Sequence, residues 1–138
     1  VGYSGRPLGT KLGIKAGHAV ALVRAPEGFE TSLADLPEGV EIKRDPRGKG
    51  PRGGFDVVVL FTTRASDLEK RWGGLVDRLA AAGGLWVAWP KKTSGVATDL
   101  TGDVVRAFGL DGGLVDVKVC AIDETWSGLR FVRRVKDR

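Results

Sequence analysis

The chain has 138 residues, of which 42% are hydrophobic and 28% are charged, and its formal net charge is +5. This length predicts one domain with its own core over residues 1–138. A single cysteine, Cys120, excludes an internal disulfide and favours a reducing, cytoplasmic location. No apolar run approaches the ~20 residues that a membrane helix needs, so we expect no membrane association.

Apolar runs alternate with short helical patterns in the first half of the chain. Ala19–Val23 and Phe55–Phe61 are apolar runs of strand length, typical of parallel strands covered on both faces. The alternating residues 40–43 predict a short strand near a sheet edge. Short helices are predicted over residues 8–14 and 31–36.

The strongest helix signal covers residues 66–82. Its apolar residues recur on one helical face: Leu68, Trp72, Leu75, Val76 and Leu79. Ser66 and Glu69 have the spacing of a capping box. Gly73 and Gly74, in the middle, each cost about 1 kcal/mol relative to alanine, and close packing on the sheet would explain them.

The second half predicts a strand over residues 85–89, a helix that ends at Phe108 and is capped by Thr98 or Thr101, and strands over 114–122 and 129–135. The short connection between the last two strands indicates an antiparallel pair. Helices alternating with apolar strands predict a three-layer, Rossmann-like α/β fold. We expect a mostly parallel sheet of about six strands with an antiparallel carboxyl-terminal edge.

A basic Gly- and Pro-rich segment, residues 45–54, predicts a flexible loop. Arg130, Arg133 and Arg134 make the final strand basic as well. One hypothesis is therefore a module that binds nucleic acid or a protein partner. The competing interpretation is that these arginines protect an exposed sheet edge. Exposed edge strands also make a homodimer an expectation.

A polar loop after the strand at residues 85–89 is the predicted ligand site. Lys91, Lys92, Thr93 and Ser94 offer cationic and hydroxyl donors, and ligands in open α/β sheets bind beyond the carboxyl ends of strands. A following helix N-terminus would favour negative charge. We therefore predict an anionic small molecule or nucleotide there, with Trp126 stacking nearby. Solvated lysines and a packed tryptophan are the competing interpretation.

Catalytic groups are poorly supported. His18 lies at the amino end of a strand, opposite the expected ligand side, which argues against a catalytic triad. Cys120 lies in an apolar strand, where a buried thiol is inert, and one cysteine with one histidine cannot form a standard zinc site. Asp99 and Asp123 could act as acid or base, but helix capping and solvation explain them more simply.

Two long motifs resemble a family of small bacterial proteins known as domain of unknown function 3052. They are LWVAWPKKTSGVATDLTGDVVR, from residue 85, and GLVDVKVCAIDETWSGLRFVRR, from residue 113. The opening YSGRPLGTKLGIKAGHAVALVRAPEGF is similar to the start of that family. The resemblance implies no established activity, cofactor or catalytic residue, so the main expectation is a binding module without a cofactor and without demonstrated catalysis.

A more distant resemblance links FDVVVLFTTRASDLEKRWGGLVDRLAAAGGLWVAWP, residues 55–90, to class I methyltransferases. It implies an alternative function as a reduced methyltransferase that uses adenosylmethionine. The chain departs from that pattern because residues 24–29 lack the glycine-rich loop. The acidic residue that ends the second strand is also missing unless Asp45 serves, and residues 43–55 leave no room for a further strand and helices. Fold alone does not imply function.

Overall fold

The computed structural model describes residues 7–48 and 50–138. The start of the amino-terminal segment and Lys49 of the basic loop lie outside the described residues. The strands, in chain order, are β1 (Ala19–Val23), β2 (Glu41–Arg44), β3 (Phe55–Phe61), β4 (Leu79–Pro90), β5 (Val115–Ala121) and β6 (Trp126–Val132).

These strands form one six-stranded sheet in the order β2-β1-β3-β4-β6-β5. The first four are parallel, and β6 runs antiparallel to both β4 and β5. The predicted α/β fold, with a mostly parallel sheet and an antiparallel edge, is therefore confirmed.

Helices cover both faces of the sheet. The α-helices are α1 (Leu8–Lys11), α2 (Ala65–Arg78) and α3 (Gly102–Asp111), and short 3-10 turns occur at Phe29–Leu33, Lys92–Ser94 and Val135–Asp137. One core cluster joins α2 and α3 to the sheet, and a second lies under α1 and the first 3-10 turn. Trp89 belongs to the first cluster and Trp86 to the second, which confirms that the two rings point to opposite faces.

The junction between α2 and β4 differs from the prediction. The helix predicted over residues 66–82 ends at Arg78, and Leu79 already pairs in the sheet. Arg133, which follows β6, donates to the main-chain oxygens of Val76 and Leu79 at 2.6 and 2.9 Å. It thereby adds to the N–H of Leu79, which also donates to the oxygen of Val76 at this helix end.

The final strand is not at the sheet edge, because β6 lies between β4 and β5. The prediction that its arginines protect an exposed edge is therefore wrong. The edge position belongs to β5, whose central residues are exposed. Trp126 also differs from the prediction, because it is the first residue of β6 and not part of the connection before it.

The helix glycines fall into two classes. Gly73 and Gly74 are exposed, and a Cβ at either would meet nothing within 4 Å, so the expected close packing is wrong. Gly109 of α3 is buried, and a Cβ there would collide with the ring of Phe131. Only glycine therefore lets α3 approach β6 this closely.

Alanine substitutions should separate these two classes. We expect Gly109→Ala to lower the free energy of unfolding by roughly 1–3 kcal/mol, because the ring of Phe131 must move. Gly73→Ala should raise it by about 1 kcal/mol, because alanine is the better helix former and meets no neighbour. Urea unfolding measures both, and a Gly109→Ala variant as stable as Gly73→Ala would contradict the packing described.

Candidate functional site

A crevice opens where the carboxyl ends of β1 and β3 lie side by side. The chain leaves β1 toward β2 on one side, crosses back, and continues to β3 on the other. The loops after the two strands therefore diverge, which is the arrangement that creates ligand sites in open α/β sheets. The crevice has a volume of about 460 Å³ and is lined by Arg24, Phe61, Thr62, Thr63, Arg64, Asp67 and Trp126.

Aromatic rings form the apolar wall of the crevice. Phe61 packs edge-to-face against Phe29, with ring centroids 4.8 Å apart, and against Trp126, at 5.1 Å. Edge-to-face pairs at these distances are favourable beyond their buried area. Phe29 and Phe61 are buried and Trp126 is partly exposed, so the indole is the ring that a ligand could contact.

A carboxylate with several donors lies on the polar side of the crevice. Asp67 of α2 accepts hydrogen bonds from Thr62 Oγ1 at 2.7 Å and from Arg71 Nε at 2.9 Å. Arg24 Nε lies 3.8 Å from the same carboxylate. Burial opposes ionisation of Asp67, but these donors outweigh it and lower the pKa of Asp67. Asp67 is therefore a charged anchor and a poor proton acceptor near neutral pH.

The main chain of Arg24 has a conformation that is unusual for a residue with a side chain. Its φ is 57°, in the left-handed region. Its N–H donates to Asp45 Oδ1 at 2.8 Å, and Asp45 N–H donates to the oxygen of Leu22 at 2.7 Å. An acidic residue directly after β2 is thus fixed beside the end of β1.

The loop after β1 is held in place by Arg44 of β2. The guanidinium binds both carboxylate oxygens of Glu30, at 2.8 and 2.9 Å, and donates to the oxygens of Ala25 and Pro26. The hydrogen bonds from Arg44 lower the pKa of Glu30 to about 2. The crevice wall is therefore anchored by a bidentate ion pair.

A second, smaller cleft of about 280 Å³ adjoins Asp45. It is lined by Val23, Asp45, Pro46, Lys70, Arg71, Gly74, Leu75 and Arg78. Arg71 of this cleft is paired with Asp67 of the crevice, so one ion pair connects the walls of the two cavities.

The predicted site residues are only partly brought to the crevice. Trp126 lines it, whereas residues 91–94 form a turn after β4 and are not among its lining residues. Ser94 Oγ donates to the oxygen of Lys91, and Lys91 N–H donates to the oxygen of Thr125. Lys92 and Thr93 are exposed. An anion-binding role for this turn remains a prediction.

The side chains weighed for catalysis make structural contacts. Asp99 Oδ1 accepts from Ala65 N–H at 2.8 Å and so caps α2, in place of the predicted capping box. Asp123 Oδ1 accepts two main-chain N–H groups in the turn before β6. His18 lies at the amino end of β1, and burial raises the pKa of the partly buried Cys120.

Residues 7–48 and 50–138 contain neither a candidate membrane-spanning helix nor a group of candidate metal ligands. No helix there has the length and hydropathy needed to cross a bilayer. No group of three histidine, cysteine or acidic residues is arranged to hold a metal ion in the same ranges.

Several solved structures have a similar fold, among them methyltransferases and fibrillarin. One from Aquifex aeolicus is 14% identical, with 88% of this chain and 85% of that chain covered and a TM-score of 0.61. The 1,6-didemethyltoxoflavin-N1-methyltransferase of Burkholderia thailandensis, with bound S-adenosylhomocysteine, is 10% identical. The match covers 91% of this chain and 74% of that chain, with a TM-score of 0.63. Aeropyrum pernix fibrillarin, with natively bound S-adenosyl-L-methionine, is 15% identical. The match covers 91% of this chain and 73% of that chain, with a TM-score of 0.60.

At these identities the likeness shows the fold, which is that of the class I methyltransferases. No protein-family model and no curated protein matched the chain. The expectation that no cofactor belongs to this protein is wrong for this fold, because several of the matched structures hold adenosylmethionine or adenosylhomocysteine.

The ion pair that anchors the crevice wall predicts a pH dependence. Because the pKa of Glu30 is lowered from 4.5 to about 2 on folding, its ionised form stabilises the fold above about pH 4.5. That contribution is lost as the pH falls toward 2. We expect the melting temperatures of the wild type and Glu30→Gln to differ at neutral pH and to converge on acidification. Glu69→Gln, on an exposed position of α2, is the control. A difference in melting temperature between the wild type and Glu30→Gln that persists at about pH 2 would contradict the lowered pKa of Glu30.

Proposed function

We propose that the protein is a reduced, methyltransferase-like protein that binds adenosylmethionine or adenosylhomocysteine in the crevice between β1 and β3. The observation that carries this proposal is the position of the crevice. It lies at the point where the strand order reverses, in a sheet whose fold matches adenosylmethionine-dependent methyltransferases. Its volume also falls within the usual range for small-molecule sites.

The residues around the crevice fit an adenosyl ligand. Asp45 lines the adjoining cleft beside Arg24, and its carboxylate would accept hydrogen bonds from ribose hydroxyls that extend there. Its place after β2 supplies the acidic residue that the distant resemblance requires. Arg24 and Arg64 would hold the carboxylate of the methionine portion. The partly exposed ring of Trp126 would contact an apolar portion.

The loop after β1 is not glycine-rich, in contrast to the pattern of the class I methyltransferases. Residues 24–29 contain a single glycine, Gly28, and Arg24 holds the left-handed conformation that glycine would adopt without strain. A left-handed residue with a side chain costs about 1–2 kcal/mol. Because Arg24 also lines the crevice, we infer that its guanidinium contacts the ligand.

Bound adenosylmethionine would supply an activated methyl group. We assign no catalytic residue, because Asp67, the carboxylate in the crevice lining, is kept ionised by Thr62 and the two arginines. The proposal therefore concerns binding by this chain's own residues.

Replacing strained residues by glycine tests the proposal. Arg24→Gly keeps the main-chain hydrogen bond to Asp45 and relieves the φ of 57°. It removes a long ion pair, 3.8 Å between the exposed Arg24 side chain and Asp67, and pairs of this kind are worth about 0–1 kcal/mol. We expect equal or greater stability, together with at least a tenfold loss of affinity for adenosylhomocysteine, or about 1.4 kcal/mol. Titration calorimetry and urea unfolding measure the two effects.

Asp35→Gly is the matched control, because Asp35 also has a positive φ, of 62°, but does not line the crevice. It should gain stability in the same way and retain full affinity. Failure of the wild type to bind any adenosyl compound would contradict the proposal, as would an equal loss of affinity in both variants.

We further propose that residues 91–94 extend the site toward an anionic group of the ligand. The hydrogen bond from Lys91 N–H to the oxygen of Thr125 supports this, because it places the turn beside the strand that begins with Trp126. The double variant Lys91→Ala/Lys92→Ala should weaken ligand binding without loss of stability. Unchanged affinity would exclude these lysines from the site.

A further inference from the structure

A basic cluster lies on the face of the sheet that α1 covers, outside the lining of the crevice. Arg130 of β6 and Lys118 of β5 are directly opposite each other in the antiparallel ladder. Lys118 Nζ donates to the main-chain oxygen of Lys11 at 3.4 Å, and Lys11 Nζ donates to the oxygen of Ala121 at 3.1 Å. These contacts bring together three cationic residues, Lys11, Lys118 and Arg130, which we call the basic cluster.

Two members of the basic cluster have no acidic partner among the described residues. The ion pairs of residues 7–48 and 50–138 involve other arginines, so in these ranges neither Arg130 nor Lys118 is paired with a carboxylate. Burial, with a smaller effect of Arg138, lowers the pKa of Arg130.

Arg130 is also incompletely hydrogen-bonded. Its Nε is buried and has no hydrogen-bond partner among the described residues. A buried polar atom without a partner is rare in native proteins and calls for an explanation. Because the Arg130 side chain as a whole is only partly buried, the rest of its guanidinium remains within reach of a ligand.

Two glycines lie beside this guanidinium, and one of them makes room for it. A Cβ at Gly84 of β4 would collide with Arg130 Nε and would lie 2.9 Å from Nη2. A Cβ at Gly13 would lie 3.8 Å from Nη2. The arginine therefore lies flat against the main chain, in a position that a side chain at Gly84 would prevent.

We propose that Arg130 and Lys118 bind a phosphate group, with Lys11 adding positive charge beside it. A planar guanidinium donates two parallel hydrogen bonds to phosphate oxygens, and a lysine adds a point charge. An anion bound there would be attracted by both side chains, neither of which has a carboxylate partner among the described residues. The small extent of the cluster suits a single phosphate group, which belongs either to a free phosphate or to a nucleic-acid backbone. This inference does not rest on the adenosyl site.

Thermal unfolding of the full chain tests the proposal, with inorganic phosphate compared with sodium chloride at equal ionic strength. Phosphate should raise the Tm of the wild type more than chloride does. Lys118→Gln should lose most of the phosphate-dependent increase, because it removes one of the two cationic groups that hold the anion. Arg130→Gln should lose that increase too. Lys43→Gln makes the same change of charge on β2, at the opposite edge of the sheet, and should keep it.

A second experiment distinguishes a nucleic-acid phosphate from a free phosphate. Binding of a single-stranded RNA oligonucleotide, followed by fluorescence anisotropy, would assign the site to a nucleic acid if Lys118→Gln loses it and Lys43→Gln retains it. A response to inorganic phosphate alone would assign a free phosphate. Equal Tm increases in all variants, or no response to either probe, would overturn the proposal.

Discussion

The pairing of β1 with two parallel neighbours is the constraint on which the rest of the structure depends. Residues of β1 are in register with β2 on one side and with β3 on the other. Since the connections from β1 and from β3 leave in different directions, no chain crosses the space above their carboxyl ends. That space is the crevice. The strained turn at Arg24 and the ion pair of Arg44 with Glu30 shape the loop that borders it.

The central strands were predictable because their burial leaves little choice. Ala19–Val23 and Phe55–Phe61 are covered on both faces, and their apolar runs predicted the observed bounds. The end of α2 was not predictable in this way, because Leu79 satisfies a helical period and a buried strand equally well. Where the helix ends, Leu79 pairs with Phe55 of β3 and Arg133 contacts Val76 and Leu79, and both contacts connect positions far apart in sequence.

The candidate site was harder to predict than the fold, because strand order decides which loops meet. The sequence predicted a ligand beyond the carboxyl ends of the strands, at the polar loop after β4. The structure instead joins Arg24 with Thr62 and Asp67, while Trp126 reaches the crevice through its pairing with Pro90. Sequence spacing contains no signal for such contacts between distant strands, whereas the structural roles of Asp99 and Asp123 could be inferred from capping chemistry.

The central claim is that a ligand occupies the crevice between β1 and β3, and amide and indole chemical shifts test it most directly. Titration of labelled protein with adenosylhomocysteine should move the indole resonance of Trp126 together with the amide resonances of Arg24, Asp45 and residues 62–64. Shifts confined to residues 91–94, or to the basic cluster, would place the ligand elsewhere. A spectrum unchanged at saturating ligand would contradict the account.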